Sequence, residues 1–188
     1  MERKDNNLAQ FSFYRCPVRN IKPAKNYTLV DAYNYIVSDT AKQRTQQLRS
    51  LGDAKLRRAF KADHFDYCTF SGTFTTRNDN ALIQHSNLLC VDFDHLTNLD
   101  DLRSKLLKDD YFDTQLLFVS PSGDGLKWII GIDTSRASHL DYFLAITNYI
   151  KQTYGIRIDQ SGKDISRACF LPYDPNCFIN QKLINYGN

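Results

Sequence analysis

The sequence predicts an α+β fold built as one domain, and three observations carry that prediction. β-prone pieces and amphipathic stretches follow one another in a mixed order: β, helices, β-β, α, β-loop-β, α, β-β. That order suits a sheet covered by helices, beside a helical and basic N-terminal layer, better than a doubly wound parallel sheet. A chain of 188 residues is long enough to bury about two-thirds of its unfolded surface around one core. Hydrophobic residues make up 42% and charged residues 24%, a globular balance that excludes a disordered chain and leaves no stretch for a membrane span.

Each element has a local reason. QFSFYRC (residues 10–16) alternates toward a strand that Pro17 closes. Thr28 and Asp31 resemble a capping box for a helix through DAYNYIV, and Ser38-Asp39-Thr40 caps another running to about Leu51. Gly52-Asp53 breaks and restarts that helix, with Leu56 and Phe60 on one face. YCTFSGTFT and LIQHSNLLCVDFD are β-prone pieces separated by the polar turn RNDN. TNLDDLRSKLLKDD has an early acidic turn and a late basic one, in agreement with the helix dipole. TQLLFVS and LKWIIGI are apolar runs of strand length, punctuated by SPSGDG. From Ala137 to Tyr154, Leu140, Phe143, Ile146, Ile150 and Tyr154 recur three or four apart, and Gly155 supplies the stop. IRID and ISRACFLPYD give a last pair of short strands, and PNCFINQKLINYGN reads as an irregular tail.

Net charge is only +3, but it is unevenly spread. Seven basic side chains between Thr40 and Lys61, among them Arg49, Lys55, Arg57 and Arg58, stand against Asp53 alone. That segment is either a polyanion-binding surface or a solvated helical face. The five cysteines form an odd set without a C-x-x-C pair or a histidine at zinc-ligand spacing, so packed, reduced thiols are expected. MERKDNNLAQ carries no apolar stretch after its basic residues, which points to an intracellular, cytoplasmic protein.

Chemistry concentrates in three places. In LLCVDFDHL, Asp92 and Asp94 share one face of a strand. Two carboxylates that close repel unless one is protonated or a cation sits between them, and hard oxygen ligands suit Mg²⁺ or Mn²⁺. The plain alternative is a strand end running into a turn. In SPSGDGLKW, small residues let the backbone approach a ligand, successive amides can cradle an anion, and Lys127 adds a full positive charge. The plain alternative is a hairpin loop. In GIRIDQSGKDISRACFLPYDPN, Asp159 ends one β-prone piece and Arg167 sits inside the next, where a buried charge needs a partner. Asp164 and Asp133 are rival acids, and a structural Asp–Arg bridge is the plain alternative.

Taken together, SGTF at 71–74, HSNLLCVDFDHL at 85–96, SPSGDGLK at 120–127 and the Asp159 to Pro175 segment resemble the archaeo-eukaryotic primase superfamily. The resembling branch is the primase-polymerase domain found at the N-terminus of virulence-associated E-like proteins. The resemblance implies one domain over 1–188, with a catalytic core at 67–178 related to the RNA-recognition-motif fold and an N-terminal α/β layer at 1–66. Asp92, Asp94 and Asp159 would be the metal-holding catalytic acids. Ser120, Ser122, Gly123, Gly125 and Lys127 would bind the incoming nucleotide, Lys127 standing where many members carry histidine. Arg167 would orient Asp159 or touch phosphate, and Arg49, Lys55, Arg57 and Arg58 would contact the template backbone.

The implied activity is that of a DNA primase-polymerase: Mg²⁺- or Mn²⁺-dependent transfer of a nucleotide from (d)NTP to a 3′-hydroxyl on a DNA template and primer. It would serve replication of a bacterial or mobile genetic element, as a monomer, with a replicative helicase as a further partner and no membrane contact. Two rival classes stay open: a non-catalytic module for single-stranded or origin DNA, and a metal-dependent nuclease.

Overall fold

The structure is a computed structural model that describes residues 9–184. Most of MERKDNNLAQ and the last four residues of the tail therefore lie outside the described residues.

Strand β1 (Phe11–Tyr14) pairs antiparallel with β2 (Lys25–Tyr27). All four β1 side chains are buried rather than alternating between core and solvent, because helix α1 (Leu29–Val37) and later strands cover both faces. Thr28 and Asp31 make the expected capping box on α1. Ser38 caps a 3₁₀ turn (Asp39–Ala41) that leads into α2 (Lys42–Ser50), and Asp53 caps α3 (Ala54–His64) by accepting the Leu56 N–H. Leu56 is 58% exposed, and α3 buries no residue fully.

The YCTFSGTFT piece forms β3 (Tyr67–Thr69) and β4 (Gly72–Phe74). LIQHSNLLCVDFD divides into β5 (Leu82–His85) and β6 (Leu88–Phe93) at Asn87, whose φ of 59° breaks the extended run. Helix α4 (Leu99–Leu107) precedes β7 (Thr114–Val119), and β8 (Leu126–Gly131) folds back on β7. Helix α5 (His139–Tyr154) opens on a Ser138–Asp141 capping box and stops at Gly155, which adopts the left-handed conformation at φ 69°. Phe143, Ile146 and Ile150 face the core, whereas Leu140 is 47% exposed and His139 takes the buried place beside it.

Three expectations fail near the C-terminus. IRID forms no strand: Ile158 is buried, but the segment's backbone bond to β6, Asp159 N–H to Asp92 carbonyl at 3.0 Å, is not a ladder. Arg167 lies in the coil before the short strand β9 (Cys169–Phe170), not within a strand. The supposedly irregular tail contains β10 (Phe178–Ile179), paired with β7, and the turn of helix α6 (Gln181–Ile184).

The strands assemble into an antiparallel sheet of order β2-β1-β3-β9, a second of order β10-β7-β8-β6, and a β4-β5 hairpin. This is an α+β architecture. One face of the second sheet (Leu116, Phe118, Ile129) packs on α1 and the first sheet, while the other (Val91, Leu117, Trp128) is covered by α4 and α5. Burial on both faces explains why TQLLFVS and LKWIIGI read as continuous apolar runs, and why polar groups that remain on that sheet sit at strand ends. No helix among the described residues is long and apolar enough to cross a membrane. All five cysteines are free thiols.

Candidate functional site

β6 sets the first two acids. Asp92 is its penultimate residue, buried, and on the same face as Leu88 and Cys90. Asp94 follows the last strand residue and is half exposed. The β6–β8 register puts Asp92 directly opposite Lys127, and cross-strand partners share a face. The Lys127 ammonium consequently ion-pairs with Asp92 Oδ1 and lies 3.9 Å from Asp94 Oδ1. Among the described residues, Asp92 Oδ1 makes no directed hydrogen bond beyond this charge contact.

The third acid is Asp159. Its N–H bonds to the Asp92 carbonyl, and its carboxylate caps the 3₁₀ turn Gln160–Lys163 through the Ser161 N–H at 3.0 Å and the Ser161 hydroxyl at 2.5 Å. Arg167 Nη2 donates to Asp159 Oδ2 at 2.7 Å and reaches Asp92 Oδ2 at 3.6 Å. Ligand oxygens of Asp92, Asp94 and Asp159 all lie within 4.8 Å of one another. Of the rivals, Asp133 pairs with Arg136 and Ser135, and Asp164 stands on the cavity wall outside the trio.

Between β7 and β8, the Ser120–Gly125 loop is seated on the end of β6. A Cβ on Gly125 would lie 2.2 Å from the Phe93 carbonyl oxygen, so only glycine lets the loop approach the backbone between Asp92 and Asp94. Gly123 has φ 85° and closes a turn by donating to the Ser120 carbonyl. Asp124 ties the loop to the residues after Asp94, through its carbonyl to the Leu96 N–H and its carboxylate to His95. The buried Ser120 hydroxyl has no hydrogen-bond partner among the described residues and lies on the wall of a cavity of about 550 Å³.

That cavity joins acids to cations. Its wall carries Asp92, Asp94, Lys127 and Arg167, with Arg58, Lys61 and Arg77 around them. Burial raises the Asp94 pKa above the usual carboxylate range, and the neighbouring Asp159 charge adds to this against Lys61. Burial pushes Asp159 the same way, but the Ser161 hydrogen bonds and Arg167 outweigh it and hold this acid low. Burial lowers the pKa of Lys127 and of Lys61. Carboxylates of unlike pKa grouped this closely offer hard oxygen ligands of the kind a divalent cation takes, with Lys127 and Arg167 already facing them.

The structure redistributes the basic residues. Arg49 and Arg57, expected on the template backbone, donate instead to carbonyls of the Ser120–Ser122 loop. Arg58 lines the cavity, and Lys55 is exposed away from it. Lys127, expected on phosphate, is held by the acids. Sequence reasoning missed Arg77, which lay hidden in the RNDN turn, and treated Lys61 only as part of a charge run. It also passed over two histidines.

Those histidines brace the turn that carries Asp159. Asn87 N–H donates to His85 Nδ1 at 3.0 Å, so neutral His85 carries its proton on Nε2, 3.2 Å from His139 Nδ1. His139 Nε2 then donates to the Gly162 carbonyl at 3.2 Å. Protonating either ring removes an acceptor and breaks the chain. Burial, reinforced by His139, lowers His85 from 6.5 to about 4, and burial lowers His139 too. A histidine depressed in the fold contributes stability that is fully present above its unfolded value and is lost as pH falls through the folded one. Urea unfolding between pH 7 and pH 4 should therefore show a loss that His85→Gln reduces by about 2 kcal/mol. An identical pH slope in the variant would refute this brace.

The family comparison corrects one expectation. The model that matches is that of the BT4734-like, N-terminal domain, over residues 60–178. No curated protein and no solved structure matches the chain. The motif resemblance to the archaeo-eukaryotic primase superfamily is thus not upheld: the family found is a different one. D-x-D and a small-residue loop follow from holding an ion and approaching an anion, so short motifs of this kind do not by themselves report ancestry. Because the match spans well over half of the sequence, the chain belongs to the BT4734-like N-terminal domain family.

Proposed function

We propose that the domain is a metal-dependent nucleotidyltransferase acting on DNA, adding a nucleotide from (d)NTP to a 3′-hydroxyl. One observation carries the reading: three carboxylates have oxygens within 4.8 Å of one another, and two of them, Asp92 and Asp94, line a cavity together with a set of cations and a buried serine hydroxyl that has no hydrogen-bond partner among the described residues. Acids alone would suit many cation sites. An anion-accepting wall facing them suits a substrate that brings phosphate and metal together.

Asp92, Asp94 and Asp159 are the residues that would hold Mg²⁺ or Mn²⁺, their hard oxygens matching those ions. When bound, such ions stabilise charge on the attacking and leaving oxygens. The chain's own residues do the positioning. Ser120 and the loop amides receive phosphate oxygens, Lys61, Arg58 and Arg77 offset their charge, and Arg167 keeps Asp159 ionised and aimed at Asp92. Lys127 stands in as the resident cation beside Asp92 until a divalent ion competes for that oxygen. The reading assigns a cytoplasmic setting, with DNA primer–template as partner.

A labelled dNTP, a primer–template and Mg²⁺ or Mn²⁺ provide the test. Primer extension that Asp92→Ala and Asp94→Ala abolish is the expected result. Primer shortening would make the domain a nuclease, and DNA binding that survives both substitutions with neither reaction would make it a non-catalytic module.

A further inference from the structure

Two arginines from separate helices end on three consecutive carbonyls of one loop. Arg49, in the last turn of α2, donates from Nη2 to the Ser120 carbonyl and from Nε to the Pro121 carbonyl, both at 3.2 Å. Arg57, in the first turn of α3, donates from Nη2 to the Ser122 carbonyl at 2.9 Å. The corner between the helices is fixed by the Asp53 cap, so the two side chains reach the loop from one rigid unit. Arg49 also lies against Gly123, where a Cβ would meet its Nε at 3.0 Å.

We propose that Arg49 and Arg57 are positioning residues that hold the Ser120–Gly125 loop in its anion-accepting orientation, and are not contacts to nucleic acid. A trans peptide is planar, so its C=O and N–H point in opposite directions. Fixing the Pro121 carbonyl on Arg49 turns the Ser122 N–H the other way, and fixing the Ser122 carbonyl on Arg57 does the same for the Gly123 N–H, which closes the turn on Ser120. A loop with two glycines has little intrinsic preference for this orientation. Flipped peptides would present carbonyl oxygens to a phosphate and repel it. Guanidinium groups suit the task, since their fixed fork spans neighbouring carbonyl oxygens as an ammonium does not. Placed on carbonyls, they supply no direct phosphate contact.

The inference rests on the proposed function only for the identity of the anion. The experiment compares wild type, Arg49→Gln, Arg57→Gln and Arg49→Lys in the whole chain. Affinity for a non-hydrolysable deoxynucleoside triphosphate with Mg²⁺ should fall about tenfold in each Gln variant and less in Arg49→Lys, and with a reactive dNTP the same variants should show a raised KM with kcat little changed. Amide exchange over residues 120–125 should quicken, while Mn²⁺ binding to the acids and the salt dependence of DNA binding stay as in wild type. Unchanged loop exchange would overturn the proposal, as would intact nucleotide affinity with a DNA salt slope reduced by about one. If wild type binds no nucleotide, the functional reading fails, yet the exchange measurement still decides whether these arginines order the loop.

Discussion

Asp94→Asn should abolish metal-dependent nucleotide addition while leaving the protein as stable as wild type, or slightly more so. Burial and the Asp159 charge raise the Asp94 carboxyl above its ordinary value, so the folded state binds a proton more readily than the unfolded one. Ionising Asp94 therefore costs stability as pH rises through that window, and a neutral asparagine removes the cost. Its side chain is half exposed, which keeps the steric consequences small. Metal affinity is another matter, because one of the three negative charges whose oxygens lie within 4.8 Å of one another is lost. Mn²⁺ titration should show binding at least tenfold weaker, and primer extension should fall on the order of 10³-fold, the rate equivalent of the several kcal/mol a divalent ion contributes. Full Mn²⁺ affinity together with full extension in this variant would remove Asp94 from the site.

The largest stability effect is expected at Asp92. Asp92→Asn leaves the Lys127 ammonium buried, with Asp94 Oδ1 at 3.9 Å as its remaining carboxylate. Leaving one member of a buried ion pair uncompensated costs about 3 kcal/mol or more. Arg167 loses less, because its 2.7 Å bond to Asp159 persists. Replacing both partners with Asp92→Asn and Lys127→Met should recover most of the loss, since the low-dielectric site then holds neither charge. Urea unfolding of the two single variants and the double variant measures the coupling directly. Additive losses would show that the cross-strand pair does not organise this strand end.

Elements governed by short-range chemistry were legible in the residues. The Thr28–Asp31 and Ser138–Asp141 capping boxes, and Gly155 as the left-handed stop of α5, are contacts between residues a few positions apart. They read correctly because their partners are fixed by helix geometry. The Asp92–Asp94 face was readable for a similar reason, as strand alternation sets it. Asp159 could be named as a candidate but not separated from Asp164 or Asp133, because its choice depends on a backbone bond to Asp92, a residue far back along the chain. β10 escaped notice since two residues become a strand only when β7 offers an edge.

The sequence by itself determined an α+β chain, its capped helices, two acids on one strand face and a loop of residues small enough for close backbone approach. Tertiary structure decided which charges meet. Lys127 went to Asp92 because the β6–β8 register opposes them, Arg49 and Arg57 went to loop carbonyls because the α2–α3 corner packs there, and His85 found His139 across the fold. Charge partners of this kind are chosen by non-local packing, in which a long side chain takes whichever opposite charge or carbonyl the folded backbone brings within about 3 Å. Local pattern fixes which residues carry charge, and only the assembled sheets and helices fix what that charge is next to.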